Sequence, residues 1–248
     1  TQATVLICTP TYALHLAEVG RAAGIDPATS NIRITIHAGE PGASIPNTRR
    51  RIEELWGARA YDHIGMTEMG AYAFTCLDQH SVHVNEAEFI AEVLDPATDK
   101  PVAEGERGEL VLTNLGRWGS PAIRYRTGDV VLRGGRQCPC GCTYLTLPGG
   151  VLGRVDDMLI VRGVNVYPSS IEDVLRGFPE VEEYRITRLK AGTLDEIELE
   201  VECPEPVVPA IEAALRQALS LRVPVRAVAA GSLPRYELKA RRIITAGG

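Results

Sequence analysis

Aromatic side chains are scarce in this 248-residue chain, which has three Phe, two Trp and eight Tyr. So thin a supply of rings argues against the stacking platforms on which single-stranded nucleic acid lies. Basic charge is not in excess either: 26 Lys and Arg face 32 Asp and Glu, a formal net charge of −6. Duplex-binding domains usually carry a basic face, so no nucleic-acid partner is expected. No apolar run approaches the roughly 18 residues of a membrane span. The stretch Val5-Leu6-Ile7-Cys8 lacks the length and charged start of a signal peptide. No membrane partner is expected, and the expected compartment is the cytoplasm. Cysteines number six, few for a disulfide framework at this length. Three of them crowd into Cys138-Pro139-Cys140-Gly141-Cys142, a pattern that reads as metal ligation.

With 45% hydrophobic and 23% charged residues, the chain has the profile of an ordinary globular protein of one large domain or two modest ones. Helical spacing marks Tyr12–Ala23 and Pro46–Trp56, and alternation marks strands over Ile32–Ile36 and Ala58–His63. Strands and helices in this order indicate an α/β sheet whose loops gather at one edge, where ligands bind. From about Ala73 to Leu147 the chain turns β-rich, with strands expected at Phe89–Leu94, Gly108–Leu115 and Val130–Arg133. Beyond Gly153 a small α+β unit is expected. Its strands are Met158–Val166, Glu182–Lys190 and Glu196–Cys203, and its helices are Ser170–Arg176 and Val208–Leu221. The boundary is placed at Gly149–Gly153.

Four polar clusters carry side chains suited to nucleotide chemistry. In Tyr61-Asp62-His63-Ile64-Gly65-Met66-Thr67-Glu68 a ring can stack on a purine, a hydroxyl can hold a phosphate, and a carboxylate can hold Mg²⁺. Taken alone, Thr67 and Glu68 read equally as a helix cap and first turn. In Tyr125-Arg126-Thr127-Gly128-Asp129 a carboxylate after glycine can grip a ribose diol, though Gly-Asp is also turn material. Arg154, in Gly153-Arg154-Val155-Asp156-Asp157, suits a phosphate or a ribose, and equally a surface ion pair. The last, Leu233-Pro234-Arg235-Tyr236-Glu237-Leu238-Lys239, ends in a lysine.

In their order along the chain, these clusters resemble the adenylate-forming superfamily of acyl-CoA synthetases and adenylation domains. With Gly39-Glu40-Pro41, Met69-Gly70 and Arg162-Gly163-Val164-Asn165-Val166-Tyr167-Pro168-Ser169-Ser170-Ile171-Glu172, the wording is similar to the phenylacetate–CoA ligase family. The resemblance implies an α/β fold. On that resemblance residues 1–153 would be the C-terminal part of the large domain, a sheet flanked by helices with a β-rich, zinc-type subdomain at about 76–147. Residues 154–248 would be a small, mobile α+β lid domain. It implies that ATP and a carboxylic acid form an acyl-adenylate, which coenzyme A then takes as a thioester. Gly39, Glu40 and Pro41 would line the adenine pocket and Tyr61 would stack on the base. Thr67 would contact the α-phosphate, Glu68 would ligate Mg²⁺, and Asp129 would hold the ribose with Arg154 nearby. Asp156 would be the hinge. Lys239 would bridge the acid and the phosphate, although Leu238 stands where the family often has glycine.

Cys76 and His83 together with Cys138 and Cys140 would supply three sulfurs and one nitrogen to a structural Zn²⁺, with His80 and Cys142 as rival ligands. The family's Ser/Thr/Gly-rich phosphate loop is missing from these residues. The expectation is therefore the later portion of a longer ligase or a truncated product, joined by its N-terminal part or by a second copy. An aryl or arylacetic acid is the expected substrate. Two other readings stand beside it: an enzyme that loads a carrier protein, and a non-catalytic nucleotide-binding module.

Overall fold

Thr9 and Pro10 start the first helix for separate reasons. The Thr9 hydroxyl accepts a hydrogen bond from the Tyr12 amide at 3.2 Å, and Pro10 adopts the helical φ without an amide left to satisfy. That helix, α1 (Pro10–Ala22), follows β1 (Val5–Cys8). Next come β2 (Ile34–His37) and α2 (Pro46–Trp56), the latter closed by Gly57 in the left-handed region at φ +59°. The computed structural model describes residues 2–191, 194–236 and 240–245. It divides into two units between Asp156 and Asp157, three residues past the expected boundary at Gly153.

In the first unit, β1, β2 and β3 (Arg59–Met66) run parallel, and β4 (Gly70–Thr75), β5 (Val82–Val84) and β9 (Thr146–Leu147) continue the sheet antiparallel. Ala13, Ala17, Ile52 and Trp56 of α1 and α2 are buried together with Ala58 and Ala60, and the Trp56 indole donates to the Ala13 carbonyl at 3.0 Å. β3 runs three residues beyond the expected His63. Thr67–Met69 form a turn into β4, so the strand-to-hairpin geometry replaces any helix cap at Thr67.

Three strands between β5 and β9, joined by one that follows β9, make a second, antiparallel sheet in the order β10-β8-β7-β6. Its strands are β6 (Phe89–Leu94), β7 (Arg107–Asn114), β8 (Tyr125–Leu132) and β10 (Val151–Arg154). β8 begins five residues before the expected Val130, because Tyr125 and Arg126 pair with Leu112 and Val111. Leu110, Leu112, Val131, Leu147 and Tyr72 form one core cluster.

The second unit has its own sheet, in the order β12-β11-β14-β13-β16, with β15 also beside β14. The expected strand Met158–Val166 is instead a hairpin of β11 (Leu159–Val161) and β12 (Val164–Val166). Arg162 at φ +50° and Gly163 at φ +83° supply the two positive dihedrals of a tight two-residue turn. α3 (Pro168–Arg176) leads to β13 (Tyr184–Ala191) and β14 (Leu194–Glu202). α4 (Val208–Leu219), β15 (Val225–Val228) and β16 (Ile243–Thr245) complete the unit. Ile171 and Leu175 of α3 and Ile211, Leu215 and Leu219 of α4 cover Ile186, Leu199 and Val201 of the sheet. No helix among the described residues is long and apolar enough to cross a membrane.

Candidate functional site

The turn that follows β2 is bent back onto the start of α1. Gly39 takes φ +94°, and the Glu40 carboxylate accepts a hydrogen bond from the Thr11 amide at 2.7 Å, at the positive end of the helix. A Cβ on Gly42 would stand 2.5 Å from Pro10, so only glycine fits that approach. Pro41 lies between these two fixed points. Two residues past Gly42, the Ser44 amide and hydroxyl both donate to one oxygen of Asp62 on β3. Asp62 is buried, and burial pushes its carboxyl up to about 6 despite those hydrogen bonds.

A second carboxylate meets the first through a buried tyrosine. The hydroxyl of Tyr72, on β4, donates to Asp129 at 3.2 Å, and both Asp129 and Asp62 act electrostatically on it. Burial first, then these two acids, hold the Tyr72 phenol far above its ordinary range. Asp129 pairs in register with Arg154 across β8 and β10. The Arg154 guanidinium lies 3.5 Å from Asp129, donates to the Thr127 carbonyl at 3.3 Å and to Asp156 at 2.9 Å. Gly128, at φ +74°, allows this: a Cβ there would fall 2.6 Å from the guanidinium. Ser44, Asp62, Tyr72, Asp129 and Arg154 thus make one polar cluster, with the Glu40 turn continuing from Ser44.

Thr67 and Glu68 present exposed side chains from the β3–β4 turn, and the turn is held through its backbone. Arg117 donates to the Thr67 and Glu68 carbonyls at 3.1 and 2.6 Å, while Asn114 donates to the Met69 carbonyl at 3.2 Å. Tyr61 does not join Asp129. Neighbouring residues of a strand face opposite ways, so Tyr61 lies across the sheet from Asp62. Its hydroxyl donates to the Leu77 carbonyl at 3.2 Å and its ring lies under the Arg59 guanidinium, 5.6 Å from the centroid. This is a correction to the expectation that Tyr61 and Asp129 would come together. Lys239 lies outside the described residues. His37 is buried and held between the Cys8 carbonyl and the Thr35 hydroxyl, a structural role.

Sequence reasoning passed over Tyr72, Asp62 and Arg117. Asp62 and Tyr72 carry a signal only in hindsight: each is a buried polar residue within a strand.

The thiols form a separate cluster at the far end of β4. The ligand atoms of Cys76, His83, Cys138 and Cys140 all lie within 4.8 Å of one another. A tetrahedral zinc with bonds of about 2.3 Å to sulfur sets its ligand atoms about 3.8 Å apart, so the donor set and its spacing suit that ion. Gly141, at φ +82°, turns the Cys138–Cys140 segment back by a hydrogen bond from its amide to the Cys138 carbonyl at 2.9 Å. His83 is fully buried, and its Nε2 atom lies 3.5 Å from the Cys140 sulfur, within the group. Neither His80 nor Cys142 belongs to this group.

The mixed α/β sheets and the separate α+β unit resemble those of acyl-CoA ligases of the adenylate-forming superfamily. The family of AMP-binding enzyme C-terminal domains matches residues 163–246. Within the class the relatives are phenylacetate–coenzyme A ligases. The chain is 39% identical over 206 residues to that of Thermus thermophilus, covering 82% of this chain and 46% of the relative. It is 32% identical over 258 residues to that of Escherichia coli K12, covering 98% and 58%. It also matches the crystal structure of a 2-hydroxyisobutyryl-CoA ligase in the postadenylation state with R3-HIB-AMP, at a TM-score of 0.92 and 35% identity, over 98% of this chain and 55% of that one. The chain therefore spans about half the length of the curated relatives it matches.

Proposed function

We propose that the chain is the part of an AMP-forming acid–coenzyme A ligase that holds the adenosine side of the active site and the small mobile domain. The observation that carries this is the convergence of Asp62, Tyr72, Asp129 and Arg154 from four different strands. Asp129, oriented by the Tyr72 hydroxyl, has lone pairs to accept from both hydroxyls of a ribose, and Arg154 beside it supplies a cation for the adjoining phosphate. The Gly39–Pro41 turn, pinned at Thr11, forms the adenine wall, where backbone rather than side chain approaches the base.

In this reading the acid's carboxylate attacks the α-phosphorus of ATP, the bond to pyrophosphate breaks, and an acyl-adenylate remains. Thr67 holds the α-phosphate. Glu68 holds Mg²⁺, which when bound offsets phosphate charge. Carboxylate and phosphate are both anionic, so the Lys239 ammonium between them lowers the barrier to their approach. The thiol of coenzyme A then attacks the acyl carbon, AMP leaves, and Asp156 serves as the hinge between the two steps. The acid is an aryl or arylacetic acid, and the setting is the cytoplasm. The rest of the large domain, as further chain or as a second polypeptide, packs on the β1 edge, where Val5 and Ile7 are 42% and 72% exposed. Cys76, His83, Cys138 and Cys140 hold a structural zinc, all four positions being filled by protein.

Pyrophosphate exchange on a panel of carboxylic acids tests the reading. Lys239→Ala is expected to lower exchange by at least about 10²-fold and to leave thioester formation from supplied acyl-adenylate intact. Equal loss in both half-reactions would refute the role given to Lys239, and a silent panel in the native polypeptide would refute the ligase. For the zinc, elemental analysis of protein purified without chelator is expected to give about one equivalent, lost in Cys140→Ser. Absence of stoichiometric zinc in the parent protein would overturn that part alone.

A further inference from the structure

Asp129 stands in an interruption of its sheet. β7 and β8 pair at Leu112–Tyr125 and Val111–Arg126 and again at Glu109–Val130, so Leu110 alone faces Thr127, Gly128 and Asp129. Two extra residues are therefore accommodated in β8, a wider bulge than the usual single insertion. Continued at the register of Val111 and Arg126, the ladder would put Asp129 opposite Gly108. That is a slip of two residues, or about 6–7 Å of strand. The bulge, and not the regular ladder, brings Asp129 beside the Tyr72 hydroxyl and the Arg154 guanidinium.

An insertion of this kind takes backbone groups out of the ladder, and a buried amide or carbonyl left unpaired is costly. Side chains take the ladder's place. The Thr127 hydroxyl donates to the Leu110 carbonyl at 2.8 Å and accepts from the Asp129 amide at 3.0 Å. One oxygen of the Glu109 carboxylate accepts from the Gly128 amide at 3.2 Å. The other accepts from Arg126, from Nε at 2.8 Å and from Nη2 as well. Arg126 also donates to Asp99 at 2.6 Å, and the Gly128 carbonyl accepts from the Val155 amide at 2.8 Å. Thr127 and Glu109 are each only 5% exposed, so water cannot stand in for either.

Bulges beside active sites re-aim a side chain. This one is fixed at two successive residues: Thr127 holds the amide of Asp129 itself, and Glu109 holds that of Gly128 just before it, where φ is +74°. We propose that Thr127 and Glu109 are positioning residues that fix the backbone on which Asp129 stands, and so set a preference for a ribose diol without touching the nucleotide. This rests on Asp129 as the group that holds the ribose. Two carboxylate oxygens meet two adjacent hydroxyls in only one geometry, and each hydrogen bond to a charged group is worth about tenfold or more in binding. A shift of the bulge is therefore expected to register as lost discrimination.

The test compares AMP with 2′,3′-dideoxy-AMP, which lacks both hydroxyls, by calorimetric titration of the native polypeptide. The parent is expected to prefer AMP by about 10²-fold, and Asp129→Ala to lose that preference. Thr127→Val deletes the hydroxyl and keeps the shape, while Glu109→Gln keeps the size and loses the charge. Each is expected to cut the preference about tenfold and to bind dideoxy-AMP as the parent does. Thr127→Ser returns the hydroxyl and should restore discrimination. On an Asp129→Ala background neither variant should cause further loss, because each acts through that carboxylate. Weakening of both nucleotides alike, or a lowered melting temperature with the preference intact, would make the two residues merely structural and overturn the proposal. If Thr127→Val and Glu109→Gln fail to fold, Arg126→Lys decides it by the same titrations. That half-exposed side chain keeps its charge but loses the planar fork on Glu109, and about a threefold loss of preference is expected with dideoxy-AMP unaffected. Preference lost in Asp129→Ala but kept by the folded variants sinks the positioning role alone. A parent without preference, or an Asp129→Ala variant that keeps it, sinks the ribose reading of Asp129 and the positioning role with it.

Discussion

Asp62 shows how much of a site rests on one buried acid. Its carboxyl is raised from 3.8 to about 6 by burial, so the folded protein binds that proton more tightly than the unfolded chain does. The stability this provides is whole below about pH 4 and is lost as the pH rises through about 6. Asp62→Asn stays neutral throughout and still offers an oxygen to Ser44. Relative to the parent it is expected to gain on the order of 2–3 kcal/mol between about pH 4 and about pH 7, read from denaturant unfolding of both proteins. A difference that does not change with pH would mean that Asp62 is not held in the state described. At this scale the sequence is legible where side-chain type alone decides. Cysteines and a histidine converge at Cys76, His83, Cys138 and Cys140, residues that the sequence singles out by type and clustering. It is not legible where the face of a strand decides. The phrase around Tyr61 displays an aromatic ring, but alternation along β3 turns that ring to Leu77 and Arg59 and gives the other face to Asp62.

Among elements, the starts of α2 and α4 were readable, while α1 and α3 begin two residues before the expected Tyr12 and Ser170, at Pro10 and Pro168. Pro46 opens α2 where the spacing placed it, and Gly57 closes it, because fixed φ at one end and positive φ at the other are properties of those residues themselves. The turn from β3 to β4 was not readable, since Thr67 and Glu68 suit a helix start as well as a hairpin, and the turn is held by Asn114 at the end of β7 and by Arg117 just beyond it. The hairpin also depends on Gly65. A Cβ there would lie 2.9 Å from the Gly70 carbonyl oxygen and 3.1 Å from the Ala71 Cα, backbone atoms that cannot step aside. Gly65→Ala is accordingly expected to cost about 1–3 kcal/mol in unfolding free energy and to weaken AMP binding by shifting the turn. Calorimetry on the parent and the variant checks both, and an unchanged melting temperature would show that the hairpin has slack.

For the molecule as a whole, each unit carries its own apolar core. In the second unit Ile171, Leu175, Ile186, Leu199, Ile211 and Leu215 are each at most 1% exposed, and its core cluster draws on residues of that unit alone. A segment so equipped folds without its neighbour. Residues 157–248 expressed separately are expected to unfold in one cooperative transition in denaturant, and a gradual loss of signal without a transition would contradict this. The glycines at 149, 150 and 153 precede the division between Asp156 and Asp157. The division falls later because Arg154 still pairs with Asp129 across β8 and β10.

The first sheet is sewn shut late. Val82 pairs with Leu147, so the β5 flank stays uncovered until everything between has left the ribosome, including a β6–β8 meander that is complete by Leu132. Contacts so distant along the chain form slowly. A nascent polypeptide paused before Thr146 would expose the apolar inner face of Val82 and Val84 to the cellular milieu, which makes this stretch the natural hold for a chaperone during synthesis.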